Sequence, residues 1–151
     1  MSKKSGERNE CMSDKLILIL EDNEDRIQNF QKAIQSLDKF SFKIWFDAPS
    51  MIADLPSILN RANLISLDHD LNPQPNVATD PGTGLEVAEF LAKQKPICPT
   101  IIHSTNFEKA WSMHNELRFA GWPVERVGPI GEDWIEKLWL PKVKQLLNLT
   151  N

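Results

Sequence analysis

Three apolar runs in this chain stop abruptly on polar or titratable residues. KLILIL (15–20) ends on Glu21 and Asp22, LISL (64–67) on Asp68, His69 and Asp70, and the run within PTIIHS (99–104) on His103 and Ser104. A strand that is apolar at consecutive positions suits the middle of a parallel sheet covered on both faces, not the half-wet alternation of an antiparallel one. Such a sheet requires a helix between each strand and the next.

The intervening segments supply those helices. From Glu24, EDRIQNFQKAIQSL places Ile27, Phe30, Ala33 (or Ile34) and Leu37 at three-to-four spacing, behind a cap at Asp22 or Asn23. FKIWF (42–46) is a second strand, and Pro56 inside APSMIADLPSILNRA (48–62) predicts one broken helix or two short ones. TGLEVAEFLAKQ gives a helix with Leu85, Ala88 and Leu91 on one face. NFEKAWSMHNELRFAG gives another, ended by Gly121, with a stripe of Phe107, Ala110, Met113 or His114, and Leu117. VERVG (124–128) is the fifth strand, and a last helix over 132–148 packs Trp134, Leu138 and Leu146, with a bend at Pro141.

Five strands alternating with helices indicate a three-layer, doubly wound α/β sandwich in residues 14–151, preceded by a polar, aperiodic leader at 1–13 in which Met12 is an alternative start. In such folds ligands lie outside the carboxyl ends of the strands. The three polar strand ends are therefore expected to converge on one edge of the sheet.

Composition narrows the partners. A net charge of −4 lacks the basic excess of a duplex-binding protein, leaving a local site for a nucleic-acid end or a small phosphate ester. Cys11 and Cys98 have no metal-finger spacing and read as reduced thiols, and with no secretory signal or membrane-length apolar stretch a cytoplasmic location is expected.

Carboxylates gathered at one edge repel one another, and burying them uncompensated costs several kcal/mol. A divalent cation removes that cost. Asp22 and Asp68, with Glu21, are oxygen donors suited to Mg²⁺ or Mn²⁺, while His69 nearby would permit a softer ion. If the third strand stayed extended, Asp68 and Asp70 would share a face and His69 would oppose them. His103, beside Ser104 and Asn106, is a candidate general acid or base toward a phosphoryl group. Thr83 and Gly84 open a helix where GTG permits close backbone approach to a ligand, after a Pro-rich loop (72–82) placed as a lid or specificity loop would be. Gly128 and Gly131 could offer backbone N–H groups to an anion, with Trp134 bordering it, whereas His114 reads as a packed boundary histidine.

An acidic pair after the first strand, an Asp after the third and a hydroxyl after the fourth resemble the response-regulator receiver domain from about Lys15 to Leu147. That resemblance matches Glu21 and Asp22 to metal-binding acids, Asp68 to the phosphorylated aspartate and Ser104 to the hydroxyl residue. The receiver lysine after the fifth strand is missing, since VGPIG has Gly128 before Pro129. LDHDL, GTG and IIHSTN in succession are similar to the cyclic-phosphate processing receiver-like family.

The resemblance implies a sheet in the order 2-1-3-4-5 and metal-assisted processing or binding of a cyclic phosphate ester, carried by a nucleotide or an RNA end. It implies a catalytic role for His103, His69 and Asp68, substrate contacts from Ser104, Asn106, Gly84 and Thr83, and metal ligation by Asp22, Asp68, Asp70 and Glu21. A signalling receiver with Asp68 as phosphoacceptor, and a catalytically silent interaction module, remain the alternatives at this point.

Overall fold

The computed structural model describes residues 15–149, so the leader at 1–13, Cys11 and Met12 lie outside the described residues. The elements run β1 (Lys15–Leu20), α1 (Glu24–Gln35), β2 (Phe40–Trp45), α2 (Ala48–Ile58), β3 (Leu64–Leu67), α3 (Gly84–Ala92), β4 (Thr100–Ile102), α4 (Phe107–Phe119), β5 (Val124–Arg126) and α5 (Leu140–Leu146). The strands form one parallel sheet in the order β2-β1-β3-β4-β5. Fold class and strand order are those expected from the sequence.

Successive residues of each central strand feed opposite faces. Leu18, Leu20, Ile65, Leu67 and Ile102 pack under α2, α3 and α4, whereas Ile17, Ile19, Leu64 and Ile101 pack under α1 and the C-terminal helix. Both faces are dry, which is why these strands read as continuous apolar runs. Ser66 within LISL and Thr100 at the start of β4 are the exceptions, both fully buried hydroxyl residues.

Register decides where the polar ends meet. Leu20 pairs with Leu67, and Leu67 with Ile102, so the next residues, Glu21, Asp68 and His103, stand side by side at the carboxyl edge. Backbone bonds extend the ladder by that one step, from Asp68 N–H to the Leu20 carbonyl (3.1 Å) and from His103 N–H to the Leu67 carbonyl (2.9 Å).

Two helices depart from the sequence pattern. Pro56 is accommodated inside α2, which closes in a 3₁₀ turn at Leu59–Arg61, the second short piece expected there. Near the C-terminus, Pro141 has no N–H and its ring would collide with the Lys137 carbonyl in a regular helix. The chain opens instead into a π-helical turn, Ile135–Trp139, with Leu140 N–H bonded to the Ile135 carbonyl. The wider turn shifts the buried face, so Trp134 and Trp139 both pack on Phe30 while Leu138 turns outward, 43% exposed. Of the expected stripe, Trp134 and Leu146 pack against the core and Leu138 does not. Phe107, expected in the α4 stripe with Ala110, Met113 and Leu117, is also outside the core, 68% exposed in the first turn of the helix.

Candidate active site

Local chemistry places three carboxylates, two in the acidic turn after β1 and one directly after β3. Asn23 caps α1, its side chain accepting from Arg26 N–H, which frees Asp22 to face the sheet edge. Glu21 is fully buried and folds back, so that one carboxylate oxygen accepts the Asp22 and Asn23 N–H groups at 3.1 and 3.0 Å. Asp68 accepts its neighbour's N–H, from His69, at 2.7 Å. Among the described residues, Glu21, Asp22 and Asp68 each bring a carboxylate oxygen to within 4.8 Å of the others.

Their protonation records the crowding. Burial, reinforced by the charge of Glu21, pushes the Asp68 carboxyl up to about 6, against the opposing pull of His103, the His69 N–H and Arg26. Asp22 is also raised, by burial first and Glu21 second, with the Asn72 N–H pulling the other way. For Glu21, burial alone would raise the carboxyl, but His103, the Asn23 N–H and Arg26 outweigh it and hold the group below its ordinary range. Arg26 reaches Glu21 at 3.6 Å and Asp68 at 3.9 Å while its guanidinium lies over the Trp134 ring. One partly exposed arginine against three carboxylates leaves negative charge in excess, and the incompletely bonded oxygens of Asp22 and Asp68 fit a hard divalent cation.

Behind Glu21 runs a buried polar chain. The Trp139 indole N–H donates to Ser66 Oγ (3.0 Å), Ser66 Oγ lies 2.7 Å from His103 Nδ1, and His103 Nε2 lies 3.1 Å from Glu21 Oε1. A neutral imidazole with its proton on Nε2 satisfies every member: Trp139 donates to Ser66, Ser66 to Nδ1, and Nε2–H to the carboxylate. His103 has no exposed surface and packs against Phe30 and Trp134. Among the described residues its one hydrogen bond to the carboxylate cluster is to Glu21.

His69 differs. The strand ends at Leu67, so the alternation expected for residues 68 to 70 does not continue, and His69 Nδ1 bonds Asp70 Oδ1 at 2.7 Å. A carboxylate only accepts, so Nδ1 carries a proton, and in the neutral ring that leaves the lone pair on Nε2. Among the described residues Nε2 makes no hydrogen bond. Asp70 itself is 64% exposed at its side chain and stands outside the carboxylate cluster.

The remaining expected site residues shape the surroundings. Gly84 lets α3 begin against the sheet edge, its N–H donating to the His69 carbonyl at 3.0 Å. Thr83 caps α3 in a capping box with Glu86 and pairs with Asp70, closing the 72–82 loop at its base. Ser104 Oγ accepts the Asn106 N–H (3.1 Å), which leaves its O–H free to donate, and Asn106 caps α4. Gly131 and Trp134 line a groove with Arg26, whereas Gly128 lines a separate crevice beside Ser104. His114 packs edge-on to Trp111 as a boundary residue, and Cys98 is a buried thiol pushed up to about 12, with no reactive character at neutral pH. Arg26, Ser66 and Trp139 were not legible as site residues: one reads as a helix-surface arginine, and the others as a strand residue and a core indole.

The raised Asp68 carboxyl gives a prediction with a definite sign. A carboxyl whose folded value lies near 6 instead of 3.8 binds its proton more tightly in the native state, so stability falls as pH rises from about 4 to about 6 and the cost persists above. Without divalent ions at pH 7.5, Asp68→Asn is expected to be more stable than the native chain by about 2–3 kcal/mol, or roughly 5–10 °C in Tm. That advantage should shrink toward pH 4, and Mg²⁺ or Mn²⁺ should raise the Tm of the native chain but not of the variant. A metal-free variant that melts below the native chain at pH 7.5 would contradict the electrostatic account.

The family model described as "Cyclic-phosphate processing Receiver domain" matches residues 16–119. Among solved structures, the phosphorylated cyanobacterial phytochrome response regulator RcpA is similar at 18% identity with a TM-score of 0.67, over 90% of this chain and 95% of that one. A response regulator receiver domain from Rhodospirillum rubrum aligns with a TM-score of 0.64 at 15% identity, over 90% and 95% of the two chains. The response regulator domain of Thermotoga maritima CheB aligns with a TM-score of 0.61 at 17% identity, over 91% of this chain and 99% of that one. At these identities the likeness is one of fold. No curated protein matches the chain significantly.

Proposed function

The chain belongs to the cyclic-phosphate processing receiver domain family, and from that premise we propose that it opens a cyclic phosphate ester to a phosphomonoester at the edge holding Asp22, Asp68, His69 and Ser104. The observation that carries this reading is the His69–Asp70 pair, an imidazole oriented at 2.7 Å by a carboxylate, on the residue that directly follows Asp68 of the carboxylate cluster. Asp22 and Asp68, backed by Glu21, would hold Mg²⁺ or Mn²⁺, and such an ion supplies neutralisation of charge on the phosphoryl and leaving oxygens.

His69 Nε2 takes a proton from the attacking water as the new P–O bond forms, while Asp70 holds the ring and steadies the imidazolium. The ring P–O bond then breaks, and the released oxygen takes up a proton to become the product hydroxyl. Ser104 donates its O–H to a phosphoryl oxygen, held in place by the Asn106 N–H behind it. His103 acts on Glu21, fixing where that carboxylate sits. Thr83 and Gly84 hold the backbone of residues 69 and 70 in position. The compartment that fits these requirements is the cytoplasm, and the ligand is a small phosphate ester.

The test is turnover. With Mg²⁺ or Mn²⁺, nucleoside 2′,3′-cyclic phosphates should be converted to monoesters, followed by phosphorus NMR. The same protein incubated with acetyl phosphate should gain no lasting phosphoryl mass, because the cation that receivers place after β5 is replaced by Gly128. Stable phosphorylation of Asp68 with no turnover would return the chain to signalling.

A further inference from the structure

Beside Ser104, on the side away from α1, a crevice of about 110 Å³ opens between the end of β4, the first turn of α4 and the exit of β5. Ile102 and Ala110 give it an apolar floor, and Phe107, Arg126 and Gly128 line it with Ser104. Three features set it apart from an accidental dent. Phe107, at the first position of α4, leaves 68% of its surface in water instead of joining the core stripe of its own helix. Arg126 is held in place, its guanidinium 4.0 Å from the centre of the Trp111 ring, which is itself 46% exposed. Ser104, two residues past the end of β4 and so at the carboxyl edge of the sheet, lines the crevice, which gives a ligand whose phosphate is held at that edge a place to extend.

An exposed aromatic face beside an ordered guanidinium is the chemistry that takes up a nucleobase: the ring stacks, and the cation stacks or bonds to base and phosphate acceptors. The opposite flank is unlike it. There Asp25 and Glu132 line the groove with Arg26, and the chain as a whole carries a charge of −4. A polyanionic strand leaving the site in that direction would be repelled, whereas a single nucleotide has no need to extend there.

We propose that the crevice is a base-binding subsite, and that the ester opened at the carboxylate cluster is a free nucleoside 2′,3′-cyclic phosphate whose base lies against Phe107 beside Arg126. This rests on the ester-opening reading and adds to it the part of the substrate that carries no phosphate.

The experiment compares three esters on the full chain with Mn²⁺: cytidine 2′,3′-cyclic phosphate, glycerol 1,2-cyclic phosphate, which has no base, and an oligoribonucleotide ending in a 2′,3′-cyclic phosphate. Cytidine 2′,3′-cyclic phosphate should show a KM lower than that of the glycerol ester by about tenfold or more. Phe107→Ala and Arg126→Ala should each raise the nucleotide KM toward the glycerol value and leave kinetics on the glycerol ester unchanged. Equal kcat/KM for nucleotide and glycerol esters would overturn the subsite, and preference for the oligonucleotide would overturn the free-nucleotide assignment. Equilibrium binding of cytidine 2′,3′-cyclic phosphate, read by titration calorimetry, separates the two levels. Binding weakened by Phe107→Ala without turnover of any ester supports the subsite and sinks the ester-opening reading. Absence of binding overturns the subsite.

Discussion

His69→Ala is expected to slow cyclic-ester opening by about 10²–10⁴-fold, the usual contribution of a positioned general acid or base. The loss should fall on kcat, since the imidazole makes its contribution as the proton moves and not when the ester binds. His69 is itself 5% exposed, so the truncation also costs packing, but its one side-chain hydrogen bond is to Asp70, and the backbone bonds of residue 69 to Asp68 and Gly84 remain to hold the fold. Asp70→Asn should produce a smaller loss, since an amide can present its oxygen to Nδ1 but does not balance an imidazolium charge. His103 provides the contrast. It is buried with both ring nitrogens bonded, so His103→Ala strips Glu21 of its partner and should mainly cost stability. His103→Gln, able to keep one hydrogen bond to Glu21, should recover folding and most of the rate. Full activity in His69→Ala, with a folded His103→Gln variant inactive, would transfer the proton-moving role to His103.

The second large effect is expected from one methyl group. A Cβ on residue 84 would sit 1.8 Å from the Asp68 carbonyl oxygen and 2.9 Å from the Asp68 carbonyl carbon and from Met113 Cε. No rotamer relieves a clash with backbone. Either α3 withdraws from the sheet edge, which releases the His69 carbonyl that Gly84 N–H holds and loosens the turn after Asp68, or the end of β3 moves and carries Asp68 away from Asp22. Gly84→Ala should therefore lower Tm by roughly 5–10 °C, for a cost of about 1–3 kcal/mol, and should also abolish the rise in Tm produced by Mn²⁺. Gly82 is a useful comparison. Its Cβ would meet mainly the flexible end of Glu86, at 2.2 Å, although its φ of +69° makes Ala strained there as well. Gly82→Ala should cost stability while sparing the response to the ion. Unchanged melting and ion response in Gly84→Ala would show that the close approach does not govern the site.

How much of this was legible beforehand differs from residue to residue. The abrupt ends of KLILIL, LISL and the fourth strand marked Glu21, Asp68 and His103 as neighbours, because parallel strands of a doubly wound sheet end on one edge. What each neighbour does was not legible. Glu21 and His103 point into the layer under α1, continuing the side of Ile19 and Ile101, and this buries the imidazole that sequence alone placed beside a ligand. His69 escapes the alternation only because pairing stops at Leu67 and Gly84 captures its carbonyl.

The sequence by itself determined the alternation of apolar strands with amphipathic helices, the parallel sheet, and the identity of the acids and histidines at its edge, since hydrophobic period and run length are local properties of the chain. Tertiary structure alone decided the rest. It turned Leu138 outward and Trp139 inward through the π turn before Pro141, linked that indole to Ser66 and His103, and brought Arg26 over Trp134 toward Glu21 and Asp68. Those contacts join residues as many as 108 positions apart, Arg26 and Trp134, and no local pattern encodes them. They follow from packing, because a buried polar group must find a partner wherever the fold supplies one.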